Sequence, residues 1–320
     1  MTEKEDVLPD VEGANAAMLP IREVSRLTGV NAVTLRAWER RYGLLKPHRT
    51  PKGHRLYSDE HVRQIRAITD WINRGVSVSK VRKLLEDAIA VPEPAASVSD
   101  DGVWDIYQHR FIAALKALNE QRLDSVFNQT MSEYPADTVI RRLFEPMFET
   151  LRTAWQGLYG DRLEERFLEN FLRTRIGLKL YNANRQSQAE DSCGVMFLTL
   201  PGEVSEMELL LLSLSAASHG CKAHYLGTGI PLVEIPLAAE KLQVSAVVLH
   251  SNSALDRTTL SRDLLRVGQT LTVPVIVAGQ SARIHQSTLA PAGFHVLLPG
   301  TDQTLVSVIP DLLSEVPLLV

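Results

Sequence analysis

Cysteine is scarce in this chain of 320 residues: there are two, Cys193 and Cys221. Two thiols exclude a disulfide framework and suit a reducing compartment, where they read as small buried side chains. No apolar run reaches the length of about eighteen residues that a membrane-spanning helix needs. The opening stretch MTEKEDVLPDVEGANAAM is acidic and lacks the basic-then-apolar order of a secretion signal. A cytoplasmic protein with no membrane partner is the expectation. Catalytic signatures are missing too. Gly227-Thr228-Gly229 has no third glycine at dinucleotide spacing and no following Lys-Ser or Lys-Thr pair. His250, Ser251 and Asp256 lack a Gly-x-Ser-x-Gly nucleophile elbow, so an enzyme is not expected. His219, Cys221 and His224 crowd one turn, but on a strand His224 falls on the face opposite Cys221, which argues against a metal site.

The net charge of -4 is unevenly spread. Residues 20–85 hold 15 Lys or Arg against 5 Asp or Glu, a net +10, while 86–320 hold 18 against 28. A polyanion is the natural partner of such a basic segment, because each neutralised phosphate releases counterions.

The chain length predicts more than one domain. Residues 1–18 read as a disordered tail, and 19–87 alternate short helical patterns with turn signals. Residues 88–103, rich in Pro, Ala, Ser and Asp, read as a linker. Across 104–187, apolar residues recur at three and four, as in Leu143, Phe144, Met147, Phe148 and Leu151, which predicts a bundle of about four helices. From 192 to 320 short apolar runs alternate with helical segments: Val195 to Leu200, Ala223 to Leu226, Ala246 to His250, Val273 to Ala278 and Val296 to Leu298. These five predict a parallel α/β sheet covered on both faces.

The basic segment carries the clearest motif. Gly29 reads as a helix stop and Asn31 as the cap of the next helix, which is helix-turn-helix spacing. That second helix presents Thr34, Arg36, Glu39, Arg40 and Arg41 around the apolar Leu35 and Trp38, which are expected to pack in the core. Beyond it, LLKPHRTPKGHRLYS reads as a basic wing: Arg49, Lys52, His54 and Arg55 are placed along the phosphates. Tyr57 either donates to a phosphate or packs beneath the wing.

The segment Val33 to Tyr57, VTLRAWERRYGLLKPHRTPKGHRLY, resembles the MerR family of transcription regulators, in its branch of MlrA-like and CarH/LitR-like members. The resemblance implies a winged helix-turn-helix that binds double-stranded promoter DNA as a homodimer and acts with RNA polymerase. It places Thr34, Arg36, Arg40 and Arg41 in the major groove, and Arg49, His54, Arg55 and Tyr57 on the wing. The same branch implies that the rest of the chain is a cobalamin-binding-like module, a helical cap followed by a flavodoxin-like sheet.

In cobalamin-binding members a Trp precedes a Glu-His pair in the cap. This chain keeps Trp155 and Glu165 but has Arg166 in place of the histidine. Those members ligate cobalt from an acidic-x-His-x-x-Gly loop. Here the positions read Glu203, Ser205 and Glu208, and a serine hydroxyl is a poor cobalt ligand beside imidazole. Ser251 and Ser253 stand where Ser-x-Leu lines the nucleotide tail, and Gly279-Gln280 where Gly-Gly lets it pass. The expectation is a cobalamin-independent, MlrA-like regulator with no cofactor, linked by resemblance to biofilm control and to cyclic-di-GMP signalling proteins. The alternative is a sensor whose cavity between bundle and sheet still holds cobalamin or another small molecule. The bundle arginines 141, 142, 152, 162 and 166 either pair with Glu145, Glu149, Glu164 and Glu165 on a solvated face or grip an acidic ligand or partner. For Arg166 a salt bridge across the corrin space is expected.

Overall fold

The computed structural model describes residues 18–87, 101–186, 193–299, 301, 305 and 307–309. The tail expected at 1–18 and the linker expected at 88–103 lie largely outside the described residues.

The first domain begins with β1 (Leu19–Pro20), α1 (Ile21–Thr28) and α2 (Ala32–Arg40). Helix α1 stops at Gly29, whose φ of 69° closes a Gly29 N–H to Ser25 O bond of 2.9 Å in a conformation costly for any residue with a Cβ. Asn31 caps α2 by accepting from Thr34 N at 2.9 Å. A hairpin of β2 (His48–Arg49) and β3 (Arg55–Tyr57) joins β1 in the order β1-β3-β2 and forms the wing. Helices α3 (Asp59–Asn73) and α4 (Val78–Asp87) close the domain over Leu35, Trp38, Ile65, Ile68 and Ile72, all fully buried. Ser58 N donates to His61 Nδ1 at 3.1 Å, which fixes the start of α3.

The second domain comprises α5 (Asp101–Lys116), α6 (Glu120–Glu133), α7 (Ala136–Val139), a π-helical turn Ile140–Phe144, α8 (Glu145–Ala154) and α9 (Asp161–Gln186). Phe111, Phe127, Phe144 and Phe171 meet in its core with ring centroids 5.7–6.2 Å apart, mostly edge-to-face. The π turn leads directly into α8, so α7, the turn and α8 are continuous.

The third domain holds β4 (Gly194–Thr199), α10 (Met207–Ser218), β5 (Lys222–Gly227), α11 (Ile235–Leu242), β6 (Ala246–His250), α12 (Leu265–Thr270), β7 (Val275–Ala278), α13 (Gln280–Ile284), α14 (Gln286–Leu289) and β8 (His295–Leu297). The sheet is parallel with order β5-β4-β6-β7-β8. Renumbered within the domain this is 2-1-3-4-5, the flavodoxin-like order. Strands β4, β6 and β7 are buried throughout, the signature of a sheet covered on both faces. Alternate residues divide accordingly: Val195, Phe197, Val248 and Ile276 join the core shared with the bundle, whereas Met196, Leu198, Val247 and Val277 face the other helices. The exposed edge of β5 is covered by Asn184 of α9, which accepts from Ala223 N and donates to Ala223 O at 3.0 and 2.8 Å. Among the described residues, no helix is long and apolar enough to cross a membrane.

Candidate DNA-binding interface and effector cavity

Helix α2 has three differently employed faces. Leu35 points into the domain core. Val33, Arg36 and Arg40, spaced three and four apart, share an exposed face. Thr34, Trp38 and Arg41 form a third face that docks on the end of α6. The Trp38 indole N–H donates to Glu133 O at 2.9 Å, and Arg41 Nη1 reaches Glu133 Oε1 at 3.4 Å. Thr34, placed in the groove on sequence grounds, is fully buried, and its hydroxyl donates to Tyr134 O at 3.4 Å. The reason is tertiary: helical spacing puts Thr34 one turn from Trp38 and two from Arg41, on the side that the bundle covers.

The wing is tied to α2 by Glu39, which accepts from Arg49 Nη2 at 2.8 Å and from Arg55 Nε. Arg55, expected along the phosphates, is mostly buried in this pair, and only 13% of its side chain is exposed. Tyr57 packs beneath the wing and is fully buried. Arg49, Lys52 and His54 are exposed at the hairpin. Burial raises the Tyr57 phenol, with the Glu39 charge adding to it, so it stays a neutral hydroxyl.

A family model described as MerR HTH family regulatory protein matches residues 19–88. The chain is 37% identical over 179 residues to the HTH-type transcriptional regulator MlrA of Salmonella typhimurium (strain SL1344), an alignment covering 55% of this chain and 68% of that one. It belongs to the MerR family. Like its relatives, this MerR protein is a DNA-binding transcription regulator, MlrA-like and CarH-like in kind. It is 26% identical over 287 residues to the HTH-type transcriptional repressor CarH of Myxococcus xanthus, covering 86% of this chain and 93% of that one. A solved cobalamin-binding protein from Desulfitobacterium hafniense DCB-2 aligns at 14% identity over 60% of this chain and 89% of that one. The TM-score of that alignment is 0.33.

Most positions matching the family's cobalamin landmarks are engaged in local contacts within the protein. Trp155 Nε1 donates to Glu164 Oε2 at 3.0 Å, and Glu165 pairs with Arg162 at 2.7 Å. Arg166 was expected to bridge the corrin space. It pairs instead with Glu169 on its own helix at 2.5 Å, because i,i+3 neighbours on α9 already lie side by side. Glu203 accepts from the backbone N–H groups of Val204, Ser205 and Asn252, so its carboxylate is spent on holding two loops together. Ser251 Oγ donates to Glu203 Oε2 at 3.3 Å and accepts from Ser253 N at 3.0 Å. Gly279 has a φ of 87°, and a Cβ there would collide with Ser251 O. The close approach that glycine permits is therefore used by the protein's own backbone, with Ser281 N bonded to Ser251 O at 2.9 Å. The Ser205 hydroxyl is buried without a partner among the described residues and supplies no imidazole. These residues do not fit a histidine-ligated cobalamin.

The Gly227-Thr228-Gly229 loop is likewise engaged, with Thr228 N donating to Glu206 Oε1 at 3.0 Å. Asp256 accepts from the N–H groups of Thr258 and Thr259, a local turn role. The bundle arginines have divided fates. Arg152 pairs with Glu149 and with Glu208 of α10, Arg142 donates to Asn73 O, and Arg141 faces a cavity between bundle and sheet.

Glu133 and Asn73, which sequence reasoning missed, and His219, weighed there only as a metal ligand, join the DNA-binding domain to the rest. Glu133 is nearly buried and accepts from Tyr107 O–H at 3.2 Å as well as from Arg41. Asn73 Oδ1 accepts from Thr138 at 2.9 Å. The His219 ring packs on Gly29, in the turn between α1 and α2, and lies 3.4 Å from Asp137. A buried glutamate at a helix end is the one hint available from sequence, and it shows only after the helix ends are known.

Proposed function

We propose that this regulator binds promoter DNA as a homodimer, places Arg36 and Arg40 in the major groove, lays Arg49, Lys52 and His54 along the phosphates, and works without cobalamin in the cytoplasm. The observation that carries the reading is the division of α2. The face with Arg36 and Arg40 is open, while the neighbouring face with Thr34, Trp38 and Arg41 is held by the bundle. Effector half and recognition helix are thus joined by direct bonds, and a change in the bundle reaches the DNA-contacting helix through them. Arg41 and Arg55 serve that scaffold first, through Glu133 and Glu39. RNA polymerase is the further partner that promoter control requires. A link to cyclic-di-GMP signalling proteins rests on the family resemblance alone. No catalytic role is assigned to any residue.

The test is operator binding across salt concentrations. Lys52→Ala should weaken binding to all sequences and lower the salt slope by about one, whereas Arg36→Ala should also lose discrimination among operators, by ~1–3 kcal/mol at the affected position. Wild-type behaviour from both variants refutes the docking. For cobalamin, protein expressed with the cofactor supplied should purify colourless, and a stained preparation carrying stoichiometric corrin refutes independence.

A further inference from the structure

A cavity of about 370 Å³ lies where the π turn Ile140–Phe144 and α8 face α10 and the carboxyl ends of β6, β7 and β8. Its volume falls in the range of small-molecule sites, about 300–1,000 Å³. Of the positions that match the cobalamin landmarks, Glu208, Gly279 and Gln280 line it, whereas Trp155, Glu165, Arg166 and Ser205 do not.

Three polar atoms of lining residues are buried and without a hydrogen-bond partner among the described residues: Arg141 Nε, Glu208 Oε2 and His250 Nδ1. Each such atom costs the desolvation of a polar group with no return; the atoms are enclosed as the side chains stand, but their residues share one cavity wall, and a ligand there that drew them round would recover that cost. Their chemistry defines it. Arg141 is a cationic donor that wants an anion. Glu208 has its Oε1 taken by Arg152 at 3.4 Å and Asn252 at 3.0 Å, and its other oxygen wants a donor. His250 is 2% exposed, and burial holds its pKa down, so the ring is neutral and offers Nδ1 as a second acceptor or a donor by tautomer. The remaining wall is apolar, with Phe148, Leu211, Leu297 and Leu305. A simple anion leaves Glu208 unmet and faces an excess of acid on the walls, where Asp137, Glu145, Glu149 and Glu208 oppose Arg141 and Arg152. A simple amine leaves Arg141 unmet. A molecule with both charges and a hydrophobic body satisfies every group.

We propose that this cavity is a binding site for a small hydrophobic α-amino acid, with its carboxylate on Arg141, its ammonium group on Glu208 and His250, and its side chain against Phe148, Leu211 and Leu297. The location gives the site a consequence. Arg141 lies in the π turn between Thr138 and Arg142, the two residues that hold Asn73 at the end of α3. Single π turns inside helices recur at functional sites. Filling the cavity therefore loads the turn that anchors the DNA-binding domain.

The experiment uses the full chain and isothermal titration with leucine, phenylalanine and valine up to millimolar concentration. Each is compared with its deaminated acid and its decarboxylated amine. Saturable binding of at least one amino acid is expected, with both analogues weaker by roughly tenfold or more, the loss of one charge-assisted hydrogen bond. Arg141→Gln and Glu208→Gln should each weaken it by a similar factor, and thermal unfolding without ligand checks that both remain folded. A variant that does not fold leaves the analogue series to decide. No saturable binding by any amino acid overturns the site, as does equal affinity for either analogue or binding untouched by both substitutions. Operator affinity of the unliganded protein is scored separately, so loss of this site leaves the DNA-binding reading intact and the reverse also holds.

Discussion

Glu133→Ala should loosen the recognition helix from the bundle without touching the DNA face. The carboxylate accepts from the buried Tyr107 hydroxyl at 3.2 Å, from Arg41 at 3.4 Å, and from Tyr42. Removing it leaves the Tyr107 hydroxyl with a donor from Gln129 but no acceptor, an orphaned buried group that costs about 1–3 kcal/mol. Arg41 has 62% of its side chain exposed, so its share is only about 0–1 kcal/mol. With a smaller contribution from Tyr42, the total is roughly 2–4 kcal/mol. The backbone carbonyl stays, so the Trp38 bond survives and the interface weakens rather than disappears. Hydrogen exchange in α2 and α6 reads the change locally, which suits a chain of three domains better than a single unfolding midpoint. Tyr42 provides a second signal. Burial first, then the Glu133 charge and hydrogen bond, push its phenol up to about 12. A raised phenol stabilises the fold in its neutral form, fully below the ordinary value of 10 and progressively less as pH rises toward 12. In Glu133→Ala its titration should shift down. Exchange rates equal to wild type together with an unmoved Tyr42 titration would refute the coupling.

Three further outcomes follow from the same contacts. Gly279→Ala forces a Cβ onto Ser251 O at a φ of 87°, both backbone constraints, and should lower stability by ~2 kcal/mol or more in thermal unfolding, whereas Gly53→Ala at the open hairpin tip, with no atom near its Cβ position, should cost about 1 kcal/mol. Glu206 is pushed up by burial, but Arg173 at 2.7 Å, Thr228 N and the Tyr225 hydroxyl outweigh this and hold it below its ordinary value of 4.5. Its stabilisation is present above that value and lost as pH falls through the depressed one, so Glu206→Gln should flatten the acid limb of a stability–pH curve, and an unchanged limb would count against the Arg173 pair. Arg55→Ala breaks the buried pair with Glu39 and should raise exchange in β2 and β3 while weakening binding to every operator; if only the salt slope changes, Arg55 is a phosphate contact and the scaffold role assigned to it is wrong.

Local chemistry made much of the fold legible. Gly29 and Asn31 mark the turn because a helix end needs a residue tolerant of positive φ and a start needs a side-chain acceptor, and both requirements are written in single residue types. The five sheet strands are visible as apolar runs, most plainly β4, β6 and β7, since a strand buried on both faces has no polar alternation to obscure it. Trp38 and Leu35 were rightly read as anchors. What sequence could not rank was which of the polar residues on α2 would stay open, since helical spacing gives the faces but not their neighbours.

The amino-acid order by itself determined that there is a basic winged helix-turn-helix, a helical bundle and a parallel sheet, and that a serine stands at 205, where the resemblance to cobalamin-binding members implies a histidine. Only the tertiary structure decided that Thr34 is buried against Tyr134, that Glu39 takes Arg55 out of solvent to brace the wing while leaving half of Arg49 exposed, and that Arg166 pairs along its own helix. It alone brought Arg141, Glu208 and His250 around one cavity. The physical reason is common to all of these. Capping, periodicity and ligand chemistry act within a few residues, whereas burial and pairing depend on which surfaces meet, and those surfaces lie a hundred positions or more apart in the chain, as Thr34 and Tyr134, or Gly29 and His219, do.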